Sequence, residues 1–359
     1  MRNANLGSLP ISLPVRRAMG VALAVGLGLS LLAGDSAALS QAPSPEGDTL
    51  YVYVYSSFVE WGPAVFVEQT FEERTGVDVQ FVATGASREM LARLLTEKDA
   101  GGTPADVFMG ELNDVPKAKQ FDLFESLSVE DVPNLRFVPE ELRVDPDGTL
   151  VPYEHGFITL VYDTQALSAE ELPRSFPDLL DERFREALLL QDPRTSSVGH
   201  AFLFWTIYNF GELFTQYWER LLPNVLSVFP GWSAAYEAFQ AGEAPLVVSF
   251  STDACFDERY QPFFPEGQAY RTIFGAGVVK GTDNPRLARE FIDFLLSQEV
   301  QEKLPTTEYM FPANRRAELP EEWQRCAKVP PAPAVLPLEL VAENDDRWLQ
   351  LWAEAVVGR

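Results

Sequence analysis

The sequence predicts an α/β protein of two lobes, each a sheet flanked by helices, joined by strands that pass from one lobe to the other. Three observations carry this. Strand and helix signals alternate along residues 49–110 and again along 187–251, the pattern of parallel sheets covered by helices. Two long apolar segments, residues 150–163 and 269–281, flank the second run and are placed to cross between lobes. The chain has 359 residues with 46% hydrophobic content, enough for one large or two medium domains with real cores.

Residues 1–42 read as a leader. Arg2, Arg16 and Arg17 precede an apolar stretch from Ala18 to Ala33, and small residues follow at Ser36, Ala37 and Ala38. That is the three-part pattern of a secretory signal peptide, with cleavage expected near Ala38 to Ala42. The apolar stretch is short for a bilayer span, which needs about 20 residues. QAPSPEGD, residues 41–48, then reads as a short flexible connection.

TLYVYVYSSF from Thr49 predicts a strand, with Tyr51, Tyr53 and Tyr55 at period two. PAVFVEQTFEERTG predicts a helix stopped by Gly76, and VDVQFVAT a second strand. SREMLARLLTEKDAGG predicts a helix capped by Ser87 and ended by Gly101-Gly102, and ADVFMG a third strand. LVPYEHGFITLVYD, residues 150–163, predicts a strand that continues through a bend.

The alternation then repeats. ALLLQDPRTSSVGHAFLFW, residues 187–205, predicts a strand ended by Pro193, a hydroxyl-rich turn, and a helix capped by Ser196 or Ser197. A helix start of this kind is disposed to hold an anion or a polar group. LLPNVLSVF and PLVVSFS read as strands around the helix GWSAAYEAFQAGE, and AYRTIFGAGVVKG as a strand pair or one long bent strand. Pro285 fits the first turn of a helix whose apolar face is Leu287, Phe291, Phe294, Leu295, Val300 and Leu304. A Pro-rich connection, residues 329–337, leads to a terminal helix around Asp345 to Val357. The expected lobes are residues 48–154 with 268–308, and 155–267 with 309–359.

The formal net charge of −25 makes nucleic acid a poor partner, since binding it needs clustered Lys and Arg. It favours a cationic ligand weakly; an acidic surface also serves solubility. Cys255 and Cys326 stand alone, and an oxidising compartment permits them to pair, but spacing does not decide it. His155 and His200 lie far apart, so no His/Cys metal cluster is expected and each reads as a packed or hydrogen-bonding side chain. No catalytic set emerges: GWSAA lacks the second glycine of a nucleophile elbow, and neither histidine has an activating pattern. Neither a metal nor a cofactor is expected.

Five clusters of aromatic and hydroxyl groups fall where loops should meet a cleft between the lobes. They are Tyr55 to Phe58 with Trp61-Gly62-Pro63, Thr195-Ser196-Ser197, Gly231-Trp232-Ser233 through Tyr236, Ser249 to Asp253, and Tyr309 to Pro312. Together they suit a flat aromatic ligand, cationic in part, because rings stack on it and a cation over a ring gains about 0.5–2 kcal/mol.

At these residues the chain resembles the thiamine-binding periplasmic proteins of bacterial ABC importers. The matching blocks are YVYSSFVEWGP, VPYEHGFITLVYD, QDPRTSSVG, GWSAAY, VVSFSTDACF and PTTEYMFPAN, in the family's order across residues 48–356. QDPRTS followed by GWSAAY is the specific pair; the other blocks are shared with iron- and polyamine-binding relatives. The resemblance implies a two-lobed, hinge-bending periplasmic binding protein, a monomer that holds thiamine or its phosphates and delivers the ligand to a membrane permease without bond chemistry. The expected ligand residues are Tyr55, Ser56, Trp61, Ser196, Gly231, Trp232, Tyr236, Phe250, Asp253 and Tyr309, with Ser196 at the phosphate or hydroxyethyl end.

The chain departs from the family pattern at several of these points. Ser56 and Ala86 stand where the family has acids, Phe250 and Phe256 where it has tyrosines, and Tyr309 where it has a tryptophan. Glu60, Glu154, Asp253 and Glu308 are the candidates to replace the lost carboxylates. A related pyrimidine or another small cation stays open as ligand. So do a polyamine- or ferric-ion-binding role on the same fold and, at a greater distance, a secreted hydrolase built on carboxylates.

Overall fold

The computed structural model describes residues 49–356. The leader expected over residues 1–42 lies outside the described residues. Among the described residues the strands are β1 Thr49–Val54, β2 Asp78–Ala83, β3 Val107–Glu111, β4 Val151–Asp163, β5 Leu188–Gln191 and β6 Val225–Phe229. They continue with β7 Leu246–Phe250, β8 Tyr260–Phe263, β9 Gln268–Val278, β10 Phe311–Pro312 and β11 Ala332–Ala334. The main path of the mixed sheet runs β2-β1-β3-β9-β4-β7-β5-β6, with β8 and β10 added on β4 and β11 on β9.

The alternation read from the sequence corresponds to two parallel groups. β1 pairs in parallel with β2 and β3, and β5 with β6 and β7. Between the groups run the long strands β4 and β9, antiparallel to each other from Val151↔Ala276 to Ile158↔Tyr270. β9 is one strand rather than two. Its last residues pair with β3, and the last residues of β4 pair with β7, so β9 joins the first group, β4 joins the second, and the two groups meet along the β4–β9 pairing. The bend expected in β4 is a register slip between Pro152 and Glu154. A bulge bends its strand and re-aims the side chains beside it.

Buried apolar side chains gather mainly in two clusters. One holds Val52, Phe58, Phe71, Phe108 and Phe291 around the first parallel group. The other holds Phe176, Trp205, Trp218 and Trp352 around the second. The helix Ser197–Phe210 lies in the second; its residues Val198 to Ile207 are all buried, which explains why it carries no polar face.

Some local expectations change. The first strand ends at Val54, and Ser56–Glu60 is a short helix. Ser87 does not cap its helix: Ala86 is the cap, and the Ser87 hydroxyl bonds Asp114 while accepting from the Glu111 N–H. The helix from Pro285 ends at Leu295, and Val300 and Leu304 belong to two further short helices. The Pro-rich connection contains β11, which adds in parallel to β9. The terminal helix starts at Leu338 and runs to Val356. Cys255 and Cys326 form a disulfide.

Candidate functional site

A largely apolar-walled cavity holds about 250 Å³, close to the lower end of small-ligand sites, roughly 300 Å³. It opens where the two long strands meet the loops of both parallel groups. Tyr55 closes β1 and Phe250 closes β7, and both side chains reach it. Loops at the ends of parallel strands commonly form such sites.

One wall is aromatic. Trp232 opens the helix Trp232–Gln240, so Tyr236 falls one turn later on the same face. The two rings stack at 4.8 Å with 23° between planes. The Trp232 indole N–H donates to Ser249 Oγ at 2.9 Å, which fixes the ring against β7. Phe256 meets Tyr309 edge-on at 5.7 Å. Trp61 and Phe256 are 57% and 48% exposed, an unusual state for large rings that line a cavity. Tyr309 has φ 55, a left-handed conformation costly for an aromatic residue and typical of functional loops.

The cavity also carries acids. Glu154 follows the β4 bulge and is 1% exposed. Its Oε1 accepts from the Tyr55 hydroxyl at 2.5 Å, and that hydroxyl also bonds Tyr153. Glu308 accepts from the Ser57 hydroxyl at 3.3 Å. Asp253 heads the short helix Asp253–Phe256 and lines the same cavity. In each of the three carboxylates one oxygen is closed off from solvent and has no hydrogen-bond partner: Glu154 Oε2, Glu308 Oε2 and Asp253 Oδ2. The Tyr236 hydroxyl is in the same state.

Burial pushes the Glu154 and Glu308 carboxyls well above the usual carboxylate range, and their mutual repulsion adds to this at Glu308. Burial likewise raises Asp253 to about 7, against the pull of Ser249 and the Phe250 amide. Burial also raises the Tyr55 and Tyr236 phenols, with nearby carboxylates adding to it. No Lys, Arg or His lines the cavity. Chemically this is a slot for a flat group with positive charge: rings to stack on, and acceptors that lack a donor.

Two glycines make room. A side chain at Gly62 would strike Glu308 Oε2 and the Phe58 carbonyl. One at Gly156 on β4 would press on Met310 and Phe250, which line the cavity.

Of the residues expected from sequence, Tyr55, Trp61, Trp232, Tyr236, Phe250, Asp253 and Tyr309 line this cavity together. Three do not. Ser56 starts the short helix with its N–H on the Gly85 carbonyl, and the helical turn brings Ser57 to the cavity instead. Gly231 sits at the cap of the Trp232 helix, one residue behind the wall. Ser196 caps its helix as expected, accepting from the Gly199 N–H at 3.3 Å. It lies, however, in a separate pocket of about 10 Å³, room for about one water.

That second pocket is a polar junction. Arg88 pairs with Asp345 at 2.6 Å, and His200 Nε2 bonds the same carboxylate at 2.7 Å. Burial works to raise Asp345, but His200 and Arg88 hold it at about 2. Glu111 and Asp114 face the helix start there, so its partial positive charge is already matched. His155 stacks on Phe311 at 5.4 Å. Both histidines are therefore packed or hydrogen-bonded. Among the described residues no group of His, Cys, Asp and Glu is disposed to hold a metal.

Sequence reading named Glu154 and Glu308 only as stand-ins for missing acids. Of its four stand-ins, Glu60 is exposed at the end of its helix and does not line the cavity. Ser57 and Met310 fall in two of the five expected clusters without having been named as ligand residues, and Phe274 was not anticipated. β9 carries Phe274 against Tyr55 at 5.0 Å, a pairing 219 residues apart that no local pattern signals.

A family model for bacterial extracellular solute-binding proteins matches residues 102–332. A thiamine-binding periplasmic protein of Brucella suis is 33% identical over 89% of this chain and 96% of its own length. The chain belongs to the bacterial extracellular solute-binding proteins. A thiamine-binding periplasmic protein of Escherichia coli K12 is 30% identical, again over 89% of this chain and 96% of the relative. A solved periplasmic thiamin binding protein superposes with a TM-score of 0.77 at 28% identity, covering 86% of this chain and 96% of that one. The mixed sheet joined along β4 and β9 is thus the two-lobed fold of the family. No helix among the described residues is long and apolar enough to cross a membrane.

Proposed function

We propose that this protein captures thiamine in the cavity between Trp232, Tyr309 and the Glu154–Glu308 pair, and delivers it to the permease of an ABC importer. The observation that carries the reading is the set of three buried carboxylates with unpartnered oxygens facing an aromatic slot that has no basic side chain. A thiazolium ring supplies positive charge for the pair and a flat face for the rings; an aminopyrimidine supplies N–H donors for the free oxygens. The names of the relatives agree with this chemistry.

The assigned ligand residues are Tyr55, Trp61, Glu154, Trp232, Tyr236, Phe250, Asp253, Glu308 and Tyr309. In this reading residues 48–154 with 268–308 form one lobe and 155–267 with 309–359 the other, and β4 and β9 act as the hinge. The ligand favours the closed arrangement by touching both walls, which shifts an open–closed equilibrium by its differential affinity. The protein works as a periplasmic monomer after removal of its leader.

Titration calorimetry at pH 8 tests this, with thiamine, spermidine and ferric citrate as separate titrants. One-to-one binding of thiamine with no competition from the other two is expected. Competition by spermidine or iron, with no heat from thiamine, would replace the reading with the polyamine or ferric one.

A further inference from the structure

We propose that an arginine-lined groove beside the start of β4 is a docking site for an acidic, outward-facing segment of the importer's permease. The inference rests on the importer reading above.

The groove holds about 730 Å³, against about 250 Å³ in the ligand cavity. Arg136, Arg143 and Arg315 line it together with apolar side chains such as Leu127, Val138 and Val151. Neutral groups hold the segments that carry these arginines. Arg136 Nε donates to the Pro133 carbonyl at 2.5 Å, and the Arg143 guanidinium donates to the Leu135 carbonyl. The Arg315 backbone N–H donates to the Phe137 carbonyl at 3.1 Å. The Arg136 and Arg316 guanidinium carbons lie 5.7 Å and 4.7 Å from the centre of the Phe137 ring, so two like charges share one ring. Among the described residues none of these four arginines forms an ion pair. Elsewhere most described arginines hold a carboxylate, as Arg74, Arg88, Arg259, Arg289 and Arg347 do. Two carboxylates line the groove: Lys119 holds Asp145 at 2.6 Å, and Glu140 is exposed. The buried Arg143 Nε has no acceptor.

Uncompensated arginines beside apolar surface suit a polypeptide. Arg is enriched at protein interfaces, where its planar fork meets a carboxylate through two hydrogen bonds. A small oxyanion would leave the apolar walls uncovered. A lipid surface repels a chain with a formal net charge of −25 and is too flat to enter a groove. The excess of Lys and Arg in a membrane protein lies on its cytoplasmic loops, so carboxylates on the outward side have few basic neighbours. The groove supplies them with cations and steers the approach of an otherwise acidic protein. Its place in the chain suits delivery. Val151 in the groove opens β4, which reaches Glu154 in the cavity three residues later. Tyr309 and Met310 line the cavity, and the same segment brings Arg315 to the groove.

The test uses the permease and ATPase subunits of this importer in phosphatidylcholine liposomes, with the binding protein saturated by thiamine. The readout is the binding-protein concentration that half-stimulates ATP hydrolysis. Arg136→Glu with Arg315→Glu is expected to raise it about tenfold or more. Arg174→Glu with Arg220→Glu makes the same charge change at exposed positions elsewhere and should move it less than about threefold. Raising NaCl from about 50 to about 300 mM should raise it for the wild type and much less for the groove variant. Thiamine affinity by calorimetry should stay unchanged in both variants, since none of the four arginines lines the ligand cavity, and this shows them folded. Arg136→Gln with Arg315→Gln carries the test if charge reversal unfolds the protein. A half-stimulating concentration unmoved in the groove variant, or moved equally by both charge changes, would overturn the docking groove and leave the importer reading intact. A wild-type protein that binds thiamine and does not stimulate hydrolysis would overturn the importer reading, and this inference with it.

Discussion

Replacing Asp253 by Asn should stabilise the ligand-free protein at alkaline pH and leave it nearly unchanged in acid. Burial raises this carboxyl from 3.8 to about 7. A carboxyl with a raised folded-state value keeps its full contribution to stability below its unfolded value, and loses it as pH climbs toward the folded one. The window is therefore about pH 4 to 7. Across it, at 1.36 kcal/mol per pH unit, ionising Asp253 costs about 4 kcal/mol. Asn keeps the shape without the charge. With an unfolding entropy of about 0.65 kcal/mol/K for roughly 310 folded residues, the variant should melt about 6 °C above the wild type at pH 8. At pH 4 the two should agree within about 1 °C. Scanning calorimetry of both proteins from pH 4 to 8 reads this directly, since other titrating groups cancel in the difference. A wild-type and variant pair whose melting points differ by the same amount at every pH would refute the reasoning.

Trp232→Ala removes the ring stacked on Tyr236 and should weaken thiamine binding roughly 30- to 150-fold, from about 2–3 kcal/mol of stacking and cation–π contact; unchanged affinity by calorimetry would remove the residue from the site. Ser196→Ala should cost about 1 kcal/mol of stability through loss of the cap, with thiamine affinity unchanged, because Ser196 lies in a different pocket; a large loss of affinity would contradict that placement. Reducing the Cys255–Cys326 disulfide, which closes 71 residues, should lower stability by up to about 4 kcal/mol, seen as a lower melting point. It should also weaken binding, since Cys255 lies in the helix headed by Asp253.

The alternation of strands and helices was legible because each parallel strand and each covering helix carries its own period. The crossing strands were legible because residues 150–163 and 269–281 are too long and too apolar for one sheet of short strands. Seven of the ten ligand residues expected from sequence meet in one cavity, since aromatic and hydroxyl groups at strand ends declare themselves locally. The misses have physical causes. Ser56 was read as part of a strand, and a helix there rotates the next residue inward. Ser196 was placed by the chemistry of its own helix start, but Arg88, Glu111 and Asp345 from distant segments close that corner. Glu154 and Glu308 are brought together by the β4 bulge and by the close approach that Gly62 permits. No pattern within either segment signals that meeting. β10 and β11 are two and three residues long and owe their pairing to neighbouring strands.

The account turns on buried carboxylates that hold protons in the empty cavity and give them up to a cation. Calorimetric titration with thiamine at pH 7, repeated in phosphate and in Tris, measures the protons exchanged on binding, because the two buffers differ in ionisation enthalpy. Release of about one proton per thiamine bound is the predicted result. Equal heats in both buffers, or net uptake of protons, would contradict it.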